Sequence, residues 1–261
     1  MTEPAAVRHE KILITVKTYP LPSTTACRET VCTAGVREDG SFIRLYPVDY
    51  RYRPYAEWFP KYAWVSVDVG KPKKGDHRPE SFEPVGEFKQ VGFIAAQAGG
   101  NWMERRRYVL AQGTQTMCRL EHLDDEEKSL GIVRPLVVED LMVEETDREW
   151  KPQWQKLFQQ GRLFGPEQKP LEKIPFKFSY RFRCEEDGCR GHTMMNADWE
   201  VGELYRKMRD KFGDEEIAIK KVQDRFFGQI CGPKRDTHFF VGTVLAYKTW
   251  IVLGTFWPEK Q

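Results

Sequence analysis

Cys184, Cys189 and His192 fall within nine residues, and the polar turn Glu185-Glu186-Asp187-Gly188 separates the two thiols. A turn of that length between strand-like arms brings two sulfurs to one point, and His192 can swing toward it. Zinc takes four such ligands in a tetrahedron, commonly as two close pairs. No complete second pair accompanies this one. Cys231, ahead of the turn Gly232-Pro233, is the candidate fourth ligand, with His238 nearby. A zinc ion here would be structural, holding the hairpin rather than performing chemistry. Cys27 and Cys32 repeat the spacing, but on a strand they would face opposite sides and read as small core thiols.

The 261 residues are long enough for one large core or two small ones, and 13% aromatic content favours a folded chain. The formal net charge is only +2, so any affinity for nucleic acid must reside in local patches. No stretch approaches the roughly 20 apolar residues of a membrane helix, and the first residues are polar. The composition predicts a cytoplasmic protein with reduced thiols and no membrane partner.

Short β-branched runs alternate with Gly/Pro turns and predict a small curled sheet or barrel over residues 10–97. A helix follows, starting at Asn101 and stopped by Gly113. Phe176, Phe178, Tyr180 and Phe182 alternate with Lys177, Ser179, Arg181 and Arg183, giving a strand with one aromatic and one mostly basic face. Asp198 is placed to cap a helix through Phe212, and Asp214 a second one ending near Gly228. The expected fold is α+β. A tail (1–10) precedes a β-rich, barrel-like domain (11–145) with one central helix. A connecting arm (146–175) leads to a β-α-α-β-β domain (176–261) that carries the Cys/His turn. No internal repeat is legible.

In Arg44–Trp64, tyrosines and tryptophans interleave with arginines. Aromatic faces stack on unpaired bases and cations neutralise phosphates, a combination suited to single-stranded or flipped-out nucleic acid. The predicted contact residues are Arg44, Tyr46, Tyr50, Arg51, Tyr52, Arg53, Tyr55 and Trp58, with Lys73, Lys74 and Arg78 from a basic Gly/Pro loop. Further cations lie at Arg105–Arg107 and at Lys220, Lys221, Arg225, Lys234 and Arg235. The expectation is a non-catalytic DNA- or RNA-binding module, an accessory of a prokaryotic-type nucleic-acid processing system. Two alternatives stand beside it. One is a divalent-metal nuclease using Asp198, Glu200 and Glu203, although the residues beside them lack the usual Glu/Gln-x-Lys partner. The other is a protein-interaction subunit. Nucleotide-binding loops, a zinc-protease helix and a serine-hydrolase elbow are absent.

Overall fold

A computed structural model describes residues 7–23, 28–72, 75–97, 102–124, 126–159, 170–245 and 248–260. The elements run β1 (Arg8–Lys17), β2 (Leu21–Ser23), β3 (Arg28–Val36), β4 (Phe42–Val48), β5 (Ala63–Gly70), β6 (Ser81–Phe93), α1 (Met103–Val109), α2 (Met117–Leu120), β7 (Leu130–Val133), β8 (Val137–Glu145) and α3 (Pro152–Gln159). They continue as β9 (Phe176–Arg183), β10 (His192–Met195), α4 (Trp199–Phe212), α5 (Glu215–Gln223), β11 (His238–Val244) and β12 (Thr249–Phe256).

The first barrel closes on itself. Its order is β1-β5-β6-β4-β3, and β1 pairs again with β3. All these pairings are antiparallel except β4 with β6, where Arg44 faces Ser81 and Leu45 faces Phe82 in parallel. The chain after β6 builds a second ring with the same connectivity. There β7 and β8 together take the place of β1, with β7 on β11 and β8 on β9. β9 pairs with β10 and β11 with β12. A parallel bridge from Asn196 to Val252, just past β10, closes the ring where β4 meets β6 in the first. Both are five-stranded Greek-key barrels of the OB type.

Side-chain alternation along the strands explains how two barrels make one molecule. In β1, Ile12 and Ile14 join Val65 and Val67 inside the first barrel. Leu13 and Val16, on the other face, pack with Leu130, Ile132, Phe240 and Leu253 of the second. β1 is therefore apolar on both faces, which is why it reads as an uninterrupted β-branched run. A third cluster fills the second barrel, where Phe178, Tyr180 and Phe182 meet Val201, Tyr205 and Val222 from the helices.

Mixed α+β architecture, with a sheet-rich first part and helices in the second, agrees with the sequence. The boundaries differ. β7 and β8, grouped by sequence with the first domain, hydrogen-bond to strands of the second. β1 begins at Arg8, inside the expected tail, and the Cys/His turn joins two strands rather than leading directly into a helix. Both C-terminal helix caps form as expected: Asp198 accepts from Glu200 N and Asp214 from Ile217 N. The second helix continues as a π-helix over Asp224–Gln229. Asn101 lies outside the described residues, and Trp102 in the left-handed region precedes α1. Among the described residues no helix is long and apolar enough to cross a membrane.

Candidate functional site

β9 ends at Arg183, and the chain reverses through a turn in which Gly188 and Gly191 have φ of 80° and 91°. Those left-handed angles suit glycine, and they return the chain so that His192 opens β10. The short helix α2 docks on this turn: Thr116 Oγ1 donates to Glu186 Oε1 at 2.9 Å, and Arg119 pairs with Glu186 at 2.7 Å. Docking delivers Cys118 to the hairpin. The ligand atoms of Cys118, Cys184, Cys189 and His192 all lie within 4.8 Å of one another.

His192 Nε2 is 3.3 Å from Cys118 Sγ and 3.5 Å from Cys189 Sγ. Tetrahedral bonds of about 2.3 Å to sulfur and about 2.0 Å to nitrogen place sulfur and nitrogen about 3.5 Å apart. The cluster therefore fits a metal ion. Around it stand the supports that thiolate–imidazole centres need. The N–H of Met117 donates to Cys184 Sγ at 3.1 Å and that of Cys184 to Cys189 Sγ at 3.3 Å. Glu121 Oε1 sits 3.0 Å from His192 Nδ1, which orients the ring with Nε2 toward the sulfurs.

Thiol acidities in the cluster diverge. Burial and a hydrogen bond to Cys189 push Cys118 up to about 12, and burial also raises Cys184. Burial acts the same way on Cys189, but the backbone N–H groups of Cys184 and Gly191 outweigh it and lower this thiol to about 7.

The fourth group is Cys118, not Cys231. Cys231 Sγ donates to Phe226 O at 3.3 Å, and burial pushes its thiol up to about 12. His238 instead contacts Asp236 O at 2.9 Å. Cys118 was missed because it comes from a separate helix 66 positions before Cys184. The Thr116 cap ahead of it was the available signal for α2.

The aromatic and basic segment is a correction to the sequence reading, because its residues do not form one open face. Arg44 is buried and donates to Ser129 Oγ at 2.7 Å, Ser129 O at 2.9 Å and Ser81 Oγ at 3.3 Å. Tyr50 is buried too, its hydroxyl donating to Phe59 O at 2.8 Å inside the first barrel's core. Arg51 pairs with Glu29 at 2.8 Å, and Arg53 with Asp49 at 2.7 Å and Glu57 at 2.8 Å. Trp58 is half-buried against Tyr50 and donates to Arg53 O at 3.0 Å. Arg78 is buried, bound to Asp76 and donating to Thr243 O at 2.7 Å. Tyr52 is half-buried, whereas Tyr46 is 36% and Tyr55 85% exposed. Lys73 and Lys74 lie outside the described residues, as does Cys27.

The carboxylates near α4 are also engaged. Both oxygens of buried Asp198 take Lys61 Nζ at 2.7 Å, and Glu200 stands 3.4 Å from the same ammonium. Burial pushes Asp198 up to about 6 against the pull of Lys61. Glu203 pairs with Arg206 at 2.8 Å.

Fold and site together define a two-barrel α+β protein with a Cys₃His cluster where α2 meets the β9–β10 hairpin of its second barrel. The chain belongs to the family described as Domain of unknown function (DUF8757), whose model matches residues 112–261, more than half its length. Residues 8–111 match a second model, Domain of unknown function (DUF8758), so the family boundary falls between α1 and α2, where one barrel gives way to the other. No curated protein matches the chain.

Proposed function

We propose that the protein is a non-catalytic nucleic-acid-binding module whose second barrel is clipped by a structural zinc ion. The zinc reading rests on three thiols and one imidazole whose ligand atoms lie within 4.8 Å of one another, the imidazole nitrogen 3.3 and 3.5 Å from two of the sulfurs. Four protein ligands leave no open position for substrate or water, which favours a structural role.

The nucleic-acid reading is carried by the outward face of β9. Lys177, Arg181 and Arg183 stand there with Thr193 and Met195 of β10 alongside, on the strands by which OB barrels bind oligonucleotides. Their carboxylate partners, Glu139 and Glu144, are solvent-exposed or nearly so, and such pairs are worth about 0–1 kcal/mol. Phosphate can replace them at little cost. The fold alone does not assign a ligand; the basic strand on an open face supplies the chemistry.

Titration of a fluorescent single-stranded oligonucleotide at several salt concentrations tests the reading. Affinity should fall as salt rises, with a log–log slope of about −0.7 per phosphate contacted. The double variant Arg181→Glu/Arg183→Glu should abolish it. Absence of binding at low salt, or binding indifferent to that variant, overturns the assignment. No geometric observation favours the nuclease alternative, since Lys61 holds Asp198 where a cation would have to enter.

A further inference from the structure

A groove of about 460 Å³ opens between α4, the π-helical turn Asp224–Gln229 and the C-terminal segment. Its volume lies in the range of about 300–1,000 Å³ common for small-molecule sites. None of its lining residues belongs to the β9 face or to the Cys₃His cluster. Its apolar surface comes from Leu204, Met208 and the indole of Trp257, with buried Phe226 and Ile230 behind them. That indole already carries two guanidiniums, Arg225 at 4.7 Å and Arg235 at 5.0 Å from the ring centroid, and lies 4.9 Å from the Trp102 ring. A six-residue π-helix is rare, and such turns recur where a helix is reshaped around a function. Here it sets Phe226 inward and Arg225 onto Trp257.

The rim is charged, but its two signs are not equally available. Of the acids, Glu203 is bound by Arg206 at 2.8 Å and Glu200 by Lys61 at 3.4 Å, both cations outside the groove. Asp224 is the remaining acid. Lys207 and Lys221 make no ion pair among the described residues, and Arg225 donates only to the amide oxygen of Gln229 at 2.8 Å. Glu203 turns to Arg206 and not to Lys207, one turn further along α4. Three cations therefore surround an apolar floor with an aromatic wall.

We infer that this groove binds a nucleoside phosphate, with the base laid on the floor beside Trp257 and the phosphates held by Lys207, Lys221 and Arg225. A flat ring accounts for the apolar, indole-walled floor, and an anionic tail accounts for Lys207 and Lys221, which no carboxylate pairs among the described residues. The site is independent of the β9 face, so it stands or falls separately from oligonucleotide binding there.

Isothermal titration of the full chain with ADP in metal-free buffer decides the matter. Binding should saturate below about 1 mM and weaken at least roughly tenfold in Lys221→Glu and in Arg225→Gln, with thermal unfolding unchanged in both. Trp257→Leu should weaken ADP while leaving the feeble binding of inorganic phosphate unaltered. The inference is overturned if ADP does not saturate, if both charge variants bind it as wild type does, or if inorganic phosphate binds as tightly as ADP.

Discussion

At the residue scale, the cluster gives the sharpest expectation. Purified protein should carry about one zinc per chain by elemental analysis, Cys118→Ser should lose it, and Cys231→Ser should keep it. Zinc retained by Cys118→Ser and lost from Cys231→Ser would restore the fourth ligand read from sequence. Glu121→Gln tests the orienting contact on His192, and competition with a chelator should show about 10- to 100-fold weaker metal affinity. Lys17 offers a second test. Its ammonium lies 4.5 Å from the Tyr50 ring centroid and donates to Phe59 O at 2.9 Å. Burial first, and then Lys61, lower its pKa from 10.5 to about 8. A cation whose pKa is lowered by folding costs stability while it stays charged, so the cost is full below pH 8 and is relieved between about 8 and 10.5. Lys17→Met should accordingly have its most favourable stability relative to wild type near pH 7, and that advantage should shrink toward pH 10.5. Urea titrations of both proteins across this window measure the difference, and a difference that grows with pH would refute the assignment. The three hairpin ligands were legible because they are local. Lys17 was not, since nothing in its neighbours in sequence foretells the rings of Tyr50 and Trp199 around it.

At the scale of elements, legibility followed the source of each element's stability. α4 and α5 carry their own signals: side-chain caps at Asp198 and Asp214, and Gly213 at φ 64° closing the first. Of their apolar residues, Val201, Tyr205, Val222 and Phe226 are buried, whereas Phe212 at the end of α4 is 44% exposed. The four-residue strands β7 and β10 have too little length for a period to appear, and they exist because neighbours supply the ladder. Gly202 shows the same dependence inside a helix. Alanine there gains about 1 kcal/mol in helix propensity. Yet a Cβ would lie 2.5 Å from Cδ2 of Tyr19, whose backbone N–H bonds Ala197 O and whose hydroxyl bonds Glu172 O, both at 2.8 Å. A ring anchored at both ends cannot yield cheaply, and overpacking costs about 1–3 kcal/mol. Gly202→Ala should therefore lower the urea midpoint, whereas an equal or higher midpoint would mean that Tyr19 moves aside.

At the scale of the molecule, what sequence hid was repetition. Two barrels share one connectivity, but the shared feature is which strands pair, not which residues recur. β1 meets its equivalent in two separate strands, and the second ring closes through a single bridge between Asn196 and Val252. Non-local closure of this kind leaves no period to detect. The barrels are joined by a common apolar layer and by the buried ionic contact of Lys61 with Asp198, made between residues 137 positions apart. The side chains are 9% and 0% exposed, so removing one partner strands a charge away from water. Breaking such a pair costs about 3–5 kcal/mol. Lys61→Met should show that loss at pH 7 in chemical denaturation, and it should unsettle both barrels together because Asp198 also caps α4. Adding Asp198→Asn should recover part of it: the amide keeps the helix cap and removes the stranded carboxylate. Recovery in the double variant separates a stranded charge from a mere packing defect, since a packing defect would be deepened, not relieved, by the second change. Loss confined to the second barrel, with the first still unfolding at its wild-type midpoint, would mean that the shared apolar layer does not couple the two.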